Sequence, residues 1–181
     1  MKVTIDACVL YPTVMREMVL GCADAGLFKP VWSDRILEEW ARATRKLGAE
    51  AEVFARSEIV LLGTRYPTAI VPQNPTITAR LWLPDPDDVH VLATAVASRS
   101  DVILTMNFKD FPSQILAEEG ISRASPDMFL LGLLEANPDP VTAVAEAVLD
   151  EARRLSEHDW SMRALMKKAR LPRLGKRLSV V

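Results

Sequence analysis

The chain has 181 residues, 49% of them apolar and 25% charged, enough for one domain with a sizeable core and a small appendage. A formal net charge of −2 excludes whole-molecule attraction to nucleic acid or to an anionic membrane. No apolar run reaches the roughly 18 residues a membrane span needs. The charge is uneven along the chain. Residues 1–150 hold 13 Lys/Arg against 21 Asp/Glu (net −8), whereas residues 151–181 hold 9 against 3 (net +6).

The opening "MKVTIDACVLYP" lacks the long apolar stretch and cleavage site of a signal peptide, which predicts a cytoplasmic protein. "VTIDACVL" has the β-branched, apolar character of a short buried strand ending near an acid, Asp6. Cys8 and Cys22 have no metal-type spacing and are expected as reduced core residues. Pro12 suits the first turn of a helix carrying Met15, Met18, Val19 and Cys22 on one side, with Gly26 at its end. "FKPVW" is expected to be extended, and Ser33 to cap a helix that Gly48 closes. A further helix over roughly 50–62 follows, and in the Pro- and Thr-rich stretch 63–84 only "TAIV" has strand character.

"LPDPDDVHVLATAV" predicts a helix running to about residue 99, with Asp85 at N-cap, Pro86 at N1, and Asp87 and Asp88 behind it. "DVILTMN" predicts a strand, followed by the loop "FKDFP", a short helix around 113–119 and an edge strand "ISRAS". From Pro126 the pattern is helical over about 126–136, 138–156 and 159–170. Strands alternating with helices imply an α/β fold, a three-layer α/β/α sandwich around a central parallel sheet, with a C-terminal helical extension. The expected division is 1–125 for the α/β body and 126–181 for the extension.

Acids from several elements fall where such sheets bind ligands. Asp6 lies at the C-terminal end of the first strand, the edge at which ligands sit in open parallel sheets. Helical geometry places Ile36, Trp40, Ala43 and Leu47 on one apolar stripe. Glu38 then faces solvent, paired with Arg42, while Glu39 lies within about 40° of Ala43 and faces inward or along a cleft. Thr105, Asn107 and Asp110 bring oxygen-bearing side chains to the end of the second clear strand. Gathered carboxylates need compensation, and oxygen-only donors suit Mg2+ or Mn2+ rather than Zn2+. That chemistry fits metal-assisted phosphodiester hydrolysis. His90 is expected to be structural.

"TIDACVLYP", "WSDRILEEW", "LPDPDDVHVLATAV" and "VILTMNFKDFP", in that order, resemble the motifs of the PIN-domain ribonucleases, particularly the VapC-like toxins of bacterial toxin–antitoxin pairs. The resemblance covers about residues 2–125. It implies that Asp6, Glu39 and Asp88 are metal ligands, Asp88 because it stands three residues before the "VLATA" run. Asp85 corresponds to an additional acid of a subset of the family, and either Asn107 or Asp110 completes the catalytic set, with Thr105 auxiliary. The resemblance further implies a Mg2+- or Mn2+-dependent endoribonuclease using water as nucleophile, a homodimer, and a small cognate antitoxin.

Two rivals lack their signatures. A haloacid-dehalogenase-type phosphatase needs an acid where Cys8 stands, and a Rossmann nucleotide site needs glycines that "DACVLYPT" does not contain. A PIN fold acting as a non-catalytic RNA- or protein-binding scaffold remains the alternative. In the basic tail, Arg163, Lys167, Lys168 and Arg170 are candidates for contact with RNA or a partner, and Leu165, Met166 and Ala169 for the packing face of the same helix.

Overall fold

In the computed structural model, which describes residues 1–179, the opening apolar run forms strand β1 (Lys2–Ile5) and then departs from expectation. The chain leaves the extended state at Asp6 and makes a short helix α1 (Ala7–Leu10), so the strand ends one residue before the acid. Helix α2 (Thr13–Asp24) buries Met15, Met18, Val19 and Cys22 and ends at Gly26, whose φ of 77° is the left-handed conformation glycine tolerates. Strand β2 (Lys29–Val31) leads into α3 (Asp34–Ala43), capped by Ser33 Oγ accepting from the Ile36 N–H at 3.3 Å.

The buried face of α3 is Ile36, Leu37, Trp40 and Ala41, not the stripe expected from the sequence. The helix tightens into a 3-10 turn over Thr44–Leu47, which rotates Leu47 out to 70% exposure. Glu38 pairs with Arg42 at 2.7 Å as expected, and with Arg56 of helix α4 (Ala49–Arg65) at 2.9 Å. Residues 63–84 contain no strand; Ile70 makes a lone bridge to Trp32, and Asn74 caps the short helix α5 (Pro75–Arg80). Ahead of helix α6 (Val89–Ser98), residues Pro86–Asp88 form a 3-10 turn rather than the helix's own first turn.

Strand β3 (Val102–Leu104), helix α7 (Ser113–Glu118) and strand β4 (Ser122–Ala124) complete an all-parallel sheet of order β2-β1-β3-β4. Val3 pairs with both Pro30 and Val102, so β1 lies at the centre and the chain switches direction between β1 and β3. Helix α6 packs across β1, β2 and β3, and α7 against β4. This α/β architecture, a parallel sheet flanked by helices, is the one the alternating pattern implies. Helices α8 (Pro126–Ala136), α9 (Pro138–Arg154), α10 (Met162–Lys168) and α11 (Pro172–Leu178) carry the chain onward, the last of them opened by Pro172.

The contacts divide the molecule into two compact units, residues 1–11 with 29–124, and residues 12–28 with 125–181. The first contains the sheet. In the second, α2 packs on α9 and α8, and α10 and α11 pack on each other. Gly21 sits where α2 meets α9: a Cβ there would lie 2.6 Å from Val144 Cγ1. We expect Gly21→Ala to cost about 1–3 kcal/mol in a denaturation experiment, despite alanine's better helix propensity. A neutral or stabilising result would show that Val144 repacks freely.

Candidate functional site

A topological switch point opens a crevice at the C-terminal ends of the two strands that flank it. Here those strands are β1 and β3, and the residues directly past them are Asp6 and Thr105. The backbone N–H of Asp6 still donates to Leu104 O at 3.0 Å, extending the ladder and fixing where the side chain emerges. Asp6 stands at the N-cap of α1 but makes no capping hydrogen bond with its carboxylate. Its Oδ2 instead accepts from Thr105 Oγ1 at 2.6 Å and from Cys8 Sγ at 3.0 Å.

One hydrogen-bonded chain then runs from β1 to the 3-10 turn. Thr105 Oγ1, fully buried, donates to Asp6 and accepts from the Asn107 N–H at 3.0 Å. Asn107 Nδ2 in turn donates to Asp88 Oδ2 at 3.3 Å. Asp85 caps the turn by accepting from the Asp87 N–H at 2.9 Å, while Asp87 itself points to solvent with a side chain 94% exposed. Residues three apart eclipse in a 3-10 turn, so Asp85 and Asp88 come to one side. Asp110 joins them from the loop after β3, and ligand oxygens of Asp85, Asp88 and Asp110 all lie within 4.8 Å of one another.

The electrostatics follow from that crowding. Burial pushes the Asp88 carboxyl up to about 6, and the charges of Asp6, Asp85 and Asp110 push the same way. Burial, then the Asp6 charge, push the Cys8 thiol up to about 12, so it stays a neutral donor. Oxygen donors this close, one of them reluctant to ionise, fit a hard divalent cation, which would relieve their mutual repulsion.

Glu39 is placed differently from the other acids. It lies outside the cluster of three, with Arg35 Nε at 3.1 Å and His90 Nε2 at 2.8 Å from its Oε1. Burial raises its carboxyl, but His90 and Arg35 outweigh that and hold it below the usual range. Arg35 Nη2 also donates to Asp87 O at 3.2 Å, tying α3 to the 3-10 turn. His90 is buried, in keeping with the structural role expected of it. Asp6 likewise lies beside the three-acid cluster rather than within it.

Residues 2–109 match the model of the PIN domain. The chain belongs to the PIN-domain family. Over 63 residues it is 41% identical to a Mycobacterium tuberculosis protein named "Putative ribonuclease VapC50", a match covering 35% of this chain and 37% of that protein's length. No solved structure matches it significantly.

Within this PIN domain the structure brings Asp6, Asp85, Asp88, Thr105, Asn107 and Asp110 into one connected set and leaves Glu39 beside Arg35 and His90. Asp85, expected only as an auxiliary, is a full member of the tight cluster. Cys8 was expected in the core and instead bonds Asp6. Its one signal in the sequence is position: two residues past a strand-end acid, on the first turn of a helix. Arg163, Lys167, Lys168 and Arg170 are exposed in the other unit, with Lys168 Nζ 4.7 Å above the Trp160 ring. Leu165, Met166 and Ala169 are buried, as their spacing implies. Among the described residues, no helix is long and apolar enough to cross a membrane.

Proposed function

We propose that this PIN-domain chain is a metal-dependent endoribonuclease, the toxin of a toxin–antitoxin pair, with a small antitoxin and a second copy of itself as partners. The observation that carries the reading is the Asp85–Asp88–Asp110 cluster at the switch-point edge, with its half-buried Asp88 pushed up to about 6. The relative's name as a ribonuclease supports the same chemistry.

Asp85, Asp88 and Asp110 would hold Mg2+ or Mn2+, with Asp6 beside them. When bound, such an ion supplies a more acidic water and offsets charge on a phosphodiester in the transition state. The chain's own residues provide the frame. Thr105 aims the Asp6 carboxylate by donating to Oδ2, and Asn107 orients Asp88 through the same relay. Asp88 takes up a proton below about pH 6 in the cation-free protein, so cation loading is expected to weaken as pH falls through that value.

A sequenced cleavage assay on total RNA tests the proposal, with wild type and Asp6→Asn side by side in Mg2+ and in Mn2+. Cuts at defined positions that vanish in the folded variant are expected. No cleavage by purified wild type in either ion would overturn it. The second reading, a PIN fold that binds RNA or protein without cutting, is favoured by the pairing of Glu39 with Arg35 and His90 in place of the other acids.

A further inference from the structure

Two of the exposed large hydrophobic residues of the sheet-bearing unit adjoin the acid cluster in sequence. Trp82 is 67% exposed and precedes Asp85 by three residues; Phe108 is 41% exposed and stands between Asn107 and Asp110. Three extended residues span at most about 11 Å, so neither backbone position can lie far from a cluster carboxylate. Leu83, fully buried, anchors the segment that turns Trp82 outward. Phe108 is held from behind: the Arg123 guanidinium lies 4.6 Å from its ring centroid and donates to the carbonyls of Phe108 and Phe111. Lys109, exposed, stands between Phe108 and Asp110 in the chain.

An aromatic ring backed by a guanidinium, with a lysine adjacent, presents a stacking face and a cation together. That is the recognition chemistry of single-stranded nucleic acid, in which bases stack on aromatic rings and phosphates meet Lys or Arg. We propose that Phe108 and Trp82 are base-stacking platforms for a single-stranded RNA at the acid cluster, with Lys109 contacting a phosphate. The inference rests on the ribonuclease reading for its substrate and adds the subsites that hold the bases.

The test measures binding of a short RNA carrying 2-aminopurine, in Ca2+ to suppress cleavage, and separately kcat and KM in Mn2+. Phe108→Ala and Trp82→Ala are each expected to raise Kd roughly 5- to 150-fold, appearing in KM more than in kcat. Phe108→Tyr and Trp82→Phe should restore most of it. The loss should shrink on an RNA made abasic at the stacked position, and the salt slope should stay unchanged. Lys109→Gln should instead lower that slope by about one. Wild type that cleaves RNA while both alanine variants keep its KM and Kd overturns the platforms and leaves the ribonuclease reading standing. Wild type that binds the RNA through these rings but never cuts sinks the ribonuclease reading alone. Alanine variants that alter oligomeric state with RNA affinity unchanged would assign the rings to a protein surface and overturn the inference.

Discussion

Asp88→Asn is expected to make the cation-free protein more stable at pH 7 while reducing RNA cleavage about 100- to 10,000-fold. The stability gain follows from linkage. The folded carboxyl titrates at about 6, above the roughly 3.9 of an unfolded aspartate, so the native state holds this proton more tightly. A group raised in this way favours folding most below about pH 4, and that advantage is lost as pH rises through about 6. At pH 7 the ionised Asp88 is therefore a net liability. A shift of this size would be worth roughly 3 kcal/mol for a shielded group, reduced to on the order of 1 kcal/mol for one that is only half buried. Asparagine retains an oxygen to accept from Asn107 Nδ2 and removes the charge. Chemical denaturation at pH 3.5, 5 and 7 checks this: the gap between the two proteins should be largest at pH 7, smaller at pH 5, and close only below about pH 4. Adding Mn2+ should raise the melting temperature of wild type by more than that of the variant. A variant less stable than wild type at pH 7 would mean that Asp88 is already neutralised by its surroundings.

Thr105→Val should do the opposite, lowering stability and activity together. The hydroxyl is fully buried and both donates to Asp6 and accepts from the Asn107 backbone. Valine fills the same volume but leaves a buried carboxylate one donor short and a backbone N–H without its acceptor. The expected cost is about 2–4 kcal/mol, since hydrogen bonds to charged groups are worth roughly 1.5–3 and an orphaned donor adds its own penalty. Because Asn107 aligns Asp88, cleavage should fall as well, whereas Thr105→Ser should keep both properties near wild type. Denaturant midpoints and single-turnover rates separate these outcomes; a Val variant with wild-type stability would show that the Thr105 hydroxyl is dispensable to the relay.

Much of the frame around this site was legible residue by residue. Ser33 before an amphipathic run signalled a cap because a hydroxyl at that position satisfies an otherwise orphaned N–H, and it does. Asp85 followed by Pro86 signalled the same, and Asp85 caps the turn. Asp6 could be placed at the strand's C-terminal edge because a carboxylate in an apolar, β-branched run needs hydrogen-bond partners that the strand interior does not offer, and Thr105 and Cys8 supply them. The acid triad was harder to see. The sequence predicts α-helical geometry for residues 86–88, and only the tighter 3-10 turn eclipses Asp85 with Asp88. Helix α5 was hidden by Pro75 and two threonines, poor helix formers that Asn74 nonetheless caps.

Local patterning by itself determined the alternation of strands and helices and their caps, because these depend on neighbours within about one turn. Packing between distant segments decided the rest. Residues 12–28 join residues 125–181 because the apolar face of α2 is covered by α8 and α9. Glu39 on α3 meets His90 on α6, and Cys8 just past β1 meets Thr105 just past β3, because elements far apart in sequence are neighbours in the fold. Such pairings carry no periodicity of their own; they arise only once burial of the core has fixed which elements lie side by side.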